Sequence, residues 1–188
     1  MTRLPLKQDD ELDAETRALF DEIRARGGDV PDLYRLLANV PELLKAWTGL
    51  AWPLRNVNCA DRGLRELLIM RTAQLTGAEY EWAHHWKMAL AAGVGEAQLA
   101  ALERWRDSDC FNEAERAALA MTDEIVPGAS MSDAVFRALR ARFSGEAIVQ
   151  LVLSVSFYCC VARFAGGLAL DVEEQYRSTP PMTAREGR

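Results

Sequence analysis

Hydrophobic side chains recur every three or four positions through most of the chain. In the first such segment, Leu12, Leu19, Phe20 and Ile23 share one face of a helix. The same spacing predicts helices over residues 13–26, 31–38, 41–55, 61–77, 78–92, 95–105, 113–126, 133–143 and 144–164. No segment alternates apolar and polar residues for long, and no glycine-rich phosphate loop follows a strand. The pattern therefore predicts an all-α, multi-helix bundle with short loops.

Prolines mark the expected interruptions of this pattern. Pro53 is expected to kink or end the helix of residues 41–55, and Pro127 to break the chain after residue 126. Residues 171–188 are polar and contain two adjacent prolines, so we expect them to form a mobile tail.

The longest apolar run covers residues 147–162 and is followed by Arg163. It is shorter than the roughly 20 residues that a bilayer requires, so we interpret it as a core or subunit-interface helix and expect no membrane association. Its apolar surface is larger than a small bundle covers. We therefore expect a homo-oligomer.

Composition narrows the class of function. The 188 residues are 49% hydrophobic and 27% charged, which suits a folded domain. Lys and Arg number 22 against 28 Asp and Glu, and the net charge of −6 argues against nucleic acid as a partner. The four cysteines form no Cys-x-x-Cys pair and the first residues carry no apolar signal segment, so we expect reduced thiols in a cytoplasm.

Residues 78–92 combine an apolar helix surface with charged side chains. Such a helix is usually buried, and a buried charge requires a partner. Glu81 and His85 are four residues apart, so they lie on one face about one turn apart. A carboxylate beside an imidazole raises the pKa of the histidine, which favours proton transfer near neutral pH.

A second carboxylate is expected near this pair. If residues 61–77 and 78–92 form a hairpin, Glu66 reaches the height of Glu81 and His85 to within a few Å, by about 1.5 Å per residue. The alternative is that these residues form structural pairs only. A metal site is not expected, because His84 and His85 are adjacent and point in different directions, and no third ligand has a suitable spacing.

The residues in this stretch resemble the carboxymuconolactone decarboxylase family. The resemblance rests on residues 64–67 (LREL), residues 76–85 (TGAEYEWAHH) and residues 92–94 (AGV), and it extends from about residue 30 to residue 170. It implies the helical fold of the alkyl hydroperoxide reductase D type, assembled as a homo-oligomer: a dimer, a trimer or a hexamer. Residues 58–170 would be the core, residues 1–57 an N-terminal helical extension and residues 171–188 the tail.

The chain departs from the peroxidase branch of that family at two positions. The redox Cys-x-x-Cys of the branch falls on Ala78 and Glu81, whereas its carboxylate and histidine fall on Glu66 and His85. A thiol peroxidase needs a thiolate nucleophile, so peroxidase activity by that route is not expected. The decarboxylase branch is the closer chemical analogue.

The resemblance and the residues together predict an enzyme without a cofactor. We expect a lyase or isomerase that acts on a small carboxylated lactone or a related oxo-acid from aromatic breakdown. His85 would be the general acid/base, Glu81 would orient it and Glu66 would be a second proton carrier. The residues expected to bind the substrate are Arg62 or Arg65, for a carboxylate, with His84, Tyr80 and Tyr158.

Two other functions stay open. The first is a peroxidase-type antioxidant protein that uses Cys59 or the adjacent Cys159 and Cys160. The second is a non-catalytic oligomeric ligand binder, in which Glu66, Glu81 and His85 form a structural network.

Overall fold

The computed structural model describes residues 2–182 and confirms the all-α class. No strand occurs among these residues. The α-helices are α1 (Ala14–Ala25), α2 (Asp32–Leu37), α3 (Pro41–Asn56), α4 (Arg62–Thr76), α5 (Glu79–Ala91), α6 (Glu96–Ala101), α7 (Glu113–Gly128), α8 (Asp133–Arg140) and α9 (Gly145–Gly167). Short 3₁₀ helices cover Asp9–Glu11, Leu102–Asp107 and Glu174–Tyr176.

Pro53 does not end its helix, and Pro127 does not break the chain after residue 126. Helix α3 runs through Pro53 to Asn56, and α7 runs through Pro127 to Gly128. Each proline lacks the N–H of one helical hydrogen bond, but it stands close to the C-terminal end of its helix and few helical residues follow it. Helix α7 ends at Gly128, and the next residue, Ala129, has a positive φ of 58°.

Helices α4 and α5 form a tight hairpin at the centre of the molecule. Gly77 ends α4 in the left-handed conformation, with φ 69°, and α5 begins two residues later. At the far end of the hairpin, a Cβ on Gly63 would lie 2.8 Å from the carbonyl oxygen of Ala92. Glycine at residue 63 therefore allows the start of α4 to approach the end of α5 closely.

Helix α9 is the most apolar helix of the described part of the chain. Among residues 2–182 it alone has the length and composition to cross a membrane, but 61% of its most apolar window is buried inside the fold. It packs against α4 and α7. Packing within the protein thus accounts for most of its apolar surface.

The hydrophobic core has two parts, and α4 and α9 contribute to both. One part joins α4 and α9 to α5 and α7, around Leu68, Met121 and Leu151. The other joins them to α1, α2 and α3, around Phe20 and Leu44. The N-terminal helices therefore pack directly on the α4–α9 layer.

The first part of the C-terminal segment packs on α5. Trp82 donates its indole N–H to the carbonyl oxygen of Pro180 at 2.9 Å, and the ring of Tyr176 lies 4.0 Å from that of His84, between centroids. The expectation of a mobile tail did not include these contacts. Residues 183–188 of that tail lie outside the described residues.

Candidate functional site

A cavity of about 310 Å³ lies between the N-terminal helices and the α5–α9 layer. The size is at the lower end of the range of small-molecule sites. Its wall combines several aromatic rings with a few polar groups. The residues that line the cavity include Trp47, Arg55, Glu81, His85, Phe157, Tyr158 and Tyr176.

His85 and Glu66 form a buried pair across the α4–α5 hairpin. Nδ1 of His85 lies 2.7 Å from Oε2 of Glu66, and the two side chains are 4% and 2% exposed. The other oxygen of Glu66, Oε1, accepts hydrogen bonds from the guanidinium of Arg62, at 2.8 Å from Nε and 2.5 Å from Nη2. The predicted proximity of Glu66 and His85 is therefore confirmed, and the two side chains form a hydrogen bond.

The surroundings of this pair lower the pKa of both groups. Burial favours the neutral acid, but the ring of His85 and the guanidinium of Arg62 outweigh it and lower the pKa of Glu66. Burial lowers the pKa of His85 and outweighs the attraction of Glu66, while Arg55 lowers it further. We therefore assign an ionised Glu66 and a neutral His85. Nδ1–H donates to Glu66, and Nε2 carries a free lone pair.

Glu81 does not pair with His85, in contrast to the prediction. It is 2% exposed, and neither carboxyl oxygen forms a hydrogen bond with another residue of the described chain. Burial raises the pKa of Glu81 to about 7, and only its own backbone N–H opposes this. His85 instead pairs with the ionised carboxylate of Glu66 on α4. Its pKa is lowered and not raised, because burial outweighs the effect of that carboxylate.

Arg55 is a cavity cation that sequence analysis missed. Nε and Nη2 of Arg55 each donate a hydrogen bond to the hydroxyl oxygen of Tyr158 at 3.3 Å. No carboxylate among residues 2–182 lies within ion-pair distance of its guanidinium. Tyr158 raises the pKa of Arg55 against the effect of burial, so the group stays charged. The only sequence signal was one arginine on the otherwise apolar second half of α3.

The two arginines predicted to bind a substrate carboxylate have structural roles instead. Arg62 pairs with Glu66, as described above. Arg65 is buried and donates to the backbone oxygens of Leu54 and Arg55 and to Oδ1 of Asn58. These contacts fix the end of α3 against α4. Neither arginine lines the cavity.

The other predicted substrate-binding residues do line the cavity. Tyr158 presents its ring edge-on to His85, with centroids 4.8 Å apart. Tyr80 donates to Oε1 of Glu173 at 3.0 Å, and Nε2 of His84 lies 2.5 Å from Oε2 of the same carboxylate. Glu173 was missed because it is 89 residues from His84 in the chain, and no local pattern reports such a contact.

Neither metal ligands nor cysteines gather at this cavity. Within residues 2–182, no group of three or more His, Cys, Asp or Glu side chains is arranged to hold a metal ion. Cys59, Cys110 and Cys160 are exposed and Cys159 is buried. None of these four cysteines lines the cavity.

Comparison with known sequences identifies relatives of the central segment. Residues 41–124 match the model of the carboxymuconolactone decarboxylase family. The chain is also 28% identical over 98 residues to the uncharacterized protein YdfG of Bacillus subtilis (strain 168), covering 51% of this chain and 67% of YdfG. The family match confirms the resemblance read from the sequence.

Solved structures share the fold over most of the chain. An uncharacterized peroxidase-related protein from Silicibacter sp. TM1040 gives a TM-score of 0.82 at 20% identity, with 95% of both chains covered. The debrominase Bmp8, in complex with 2,3,4-tribromopyrrole, gives 0.81 at 23% identity, again with 95% of both covered. A protein of unknown function from Agrobacterium tumefaciens, described as a putative antioxidant defence protein AhpD, gives 0.67 at 26% identity, covering 72% and 93%. The helical fold of the alkyl hydroperoxide reductase D type is therefore confirmed.

Proposed function

We propose that this chain, whose residues 41–124 match the carboxymuconolactone decarboxylase family, is a proton-transfer enzyme of that family. Its substrate is a small carboxylated lactone or a related oxo-acid, and the reaction is an elimination of carbon dioxide or an isomerisation. The observation that carries the proposal is the buried Glu66–His85 pair at the cavity wall, with Nε2 of a neutral imidazole left free.

Each side chain has a defined part in this reaction. Ionised Glu66 holds Nδ1–H of His85, so Nε2 accepts a proton from the carbon next to the substrate carbonyl. In an isomerisation, Nε2–H returns that proton to another carbon of the resulting enolate. In a decarboxylation, the bond to the carboxylate breaks, its electron pair forms the enolate, and a neutral Glu81 donates the proton that quenches it.

Proton exchange into heavy water tests this proposal without knowledge of the natural substrate. The protein is incubated in deuterated buffer with a panel of carboxylated lactones and 2-oxo-acids, and loss of carbon-bound protons is followed by NMR. We expect proton exchange with at least one compound, and we expect His85→Gln to slow that exchange by about 100-fold or more, because Nε2 of His85 is the group that removes the carbon-bound proton.

The matched control for this variant is Glu79→Gln, an exposed position on the same helix. It should retain the wild-type rate. A His85→Gln protein that is folded and as active as the wild type would remove His85 from the mechanism.

The antioxidant alternative makes a different prediction. A thiol peroxidase of this fold would oxidise one cysteine rapidly and selectively, because its thiolate would be activated at the site. None of the four cysteines lines the cavity, which favours slow, unselective oxidation instead. Mass spectrometry of each thiol after peroxide treatment distinguishes the two outcomes.

A further inference from the structure

Two polar groups on the cavity wall lack a partner of matching chemistry. Among residues 2–182, the hydrogen bonds of the Arg55 guanidinium go to the hydroxyl of Tyr158, although a guanidinium fork suits a carboxylate. The carboxyl group of Glu81 is 98% buried and has no hydrogen-bond partner in residues 2–182. Buried polar groups are satisfied in nearly all proteins, so the unsatisfied carboxyl group of Glu81, on the same cavity wall as Arg55, points to a ligand.

The remainder of the wall limits the body of that ligand. The rings of Trp47 and Phe157 pack together, with centroids 5.0 Å apart, and both face the cavity. Aromatic surfaces of this kind favour a flat or apolar molecular framework. The volume of about 310 Å³ restricts the ligand to a small molecule.

We propose that the cavity binds a small carboxylate that carries a second oxygen on a neighbouring carbon. The carboxylate accepts hydrogen bonds from Arg55 and Tyr158, and the second oxygen accepts one from Glu81. The inference rests on the proposed function, because it assigns the substrate class of the same cavity. It also replaces Arg62 and Arg65 with Arg55 as the residue that selects for an acid.

The charges around the cavity favour a ligand with one negative charge over a ligand with two. Arg55 supplies one positive charge that has no carboxylate within ion-pair distance in residues 2–182, whereas the nearby Glu66 already pairs with Arg62. A second carboxylate beside Glu81 would meet no cation there. A carbonyl or hydroxyl oxygen, in contrast, accepts a hydrogen bond from the neutral carboxyl group of Glu81 and adds no second charge that must be desolvated.

Three related probes separate these contributions. Benzoylformate has a carboxylate and an adjacent carbonyl oxygen, methyl benzoylformate lacks the charge, and phenylacetate lacks the carbonyl. We expect benzoylformate to bind at least about 10-fold more tightly than either of the other two, because the ester loses the charged contact to Arg55 and phenylacetate loses the hydrogen bond from Glu81. Binding is measured by isothermal titration calorimetry, which requires no turnover.

Variants assign each preference to one side chain. Arg55→Met should weaken benzoylformate binding about 10-fold or more and leave the ester unchanged, whereas Arg55→Lys should keep part of the preference for the acid. Glu81→Leu should remove the preference for benzoylformate over phenylacetate, and Glu81→Gln, which keeps an N–H donor, should retain it. The controls Lys45→Gln on α3 and Glu79→Gln on α5 should change neither preference, since both side chains are exposed.

Several results would overturn the inference. They are equal affinities of benzoylformate and its ester, no binding of benzoylformate at millimolar concentration, or an unchanged preference for the acid in a folded Arg55→Met protein. The test is independent of the proposed reaction, because His85→Gln should keep both binding preferences. Failure of the binding pattern with intact His85-dependent exchange would remove this inference alone.

Discussion

Glu66 and Glu81 have the same side chain, yet their surroundings move their pKa values in opposite directions. Glu66 contacts a guanidinium and an imidazole, which lower its pKa below the usual 4.5 despite burial. Glu81 is equally buried but has no such contact, and its pKa rises to about 7. Two carboxyl groups on facing helices therefore supply an anion and an acid at the same pH.

The different protonation of Glu81 in the folded and unfolded states predicts a pH effect on stability. Its folded pKa is raised, so the native state binds the proton more strongly, and the free energy of unfolding falls as the pH rises from about 4.5 to about 7. At pH 7 this loss is on the order of 3 kcal/mol. Glu81→Gln should therefore gain stability relative to the wild type over that window.

Urea unfolding at a series of pH values measures this effect. The exposed Glu79→Gln protein should follow the wild-type curve within about 0.5 kcal/mol. A constant difference between Glu81→Gln and wild type from pH 4.5 to pH 8 would show that Glu81 ionises normally.

Glu66 predicts the opposite dependence. Its folded pKa is lowered, so its contribution to stability is present above pH 4.5 and is lost as the pH falls through the folded pKa. Glu66→Gln should reduce the free energy of unfolding by about 1.5–3 kcal/mol at pH 7, because hydrogen bonds to a charged group are lost. The difference from wild type should shrink in acid. An equally large difference at pH 3 would contradict the assigned ionisation.

The residue-scale predictions from sequence succeeded where helix geometry allowed one arrangement. Glu66 and His85 stand at similar heights along the two helices of the hairpin, and their side chains are in contact, as expected. The spacing of Glu81 and His85 permitted a contact but did not decide between two competing carboxylates. Arg55 was missed because its role depends on which helix faces α5 and α9, and this is a property of packing.

At the scale of elements, periodicity predicted the helices well and their ends less well. The Asn112–Glu115 capping box begins α7 and the left-handed Gly77 ends α4, as their residue types suggest. Helices α3 and α7 run past Pro53 and Pro127, because the loss of one backbone hydrogen bond near the end of a helix does not force the helix to stop. The packing of residues 171–182 on α5 had no sequence signal, since it involves scattered side chains and backbone carbonyls.

Glu173 should hold this C-terminal segment over the cavity. Its carboxylate is 10% exposed, contacts His84 and accepts hydrogen bonds from Tyr80 and from the backbone N–H of Asp32. Glu173→Gln should increase amide hydrogen exchange across residues 171–182 by about 10-fold, because weakened contacts favour local opening. The neighbouring exposed Glu174→Gln is the matched control. Equal exchange in the two variants would show that Glu173 does not hold the segment.

At the scale of the whole molecule, exposed apolar side chains on α9 support the expected homo-oligomer. Val149 is 66% exposed and Leu153 is 39% exposed, and they are four residues apart on one helix face. We propose that this face packs against a second copy of the chain. Light scattering should give a mass above the 21.0 kDa of one chain, and Val149→Glu should reduce it. A monomeric wild type at micromolar concentration would contradict the proposal.

The family fold alone does not determine the chemistry, because proteins of this fold include a debrominase and peroxidase-related proteins. The proposed chemistry of this chain requires that Glu66 holds a neutral His85 with Nε2 free. Proton–nitrogen NMR correlation observes this state, since the chain has two histidines and His84→Gln assigns them. At pH 7 we expect a proton on Nδ1 of His85 and none on Nε2. An imidazolium, or a proton on Nε2 alone, would contradict it.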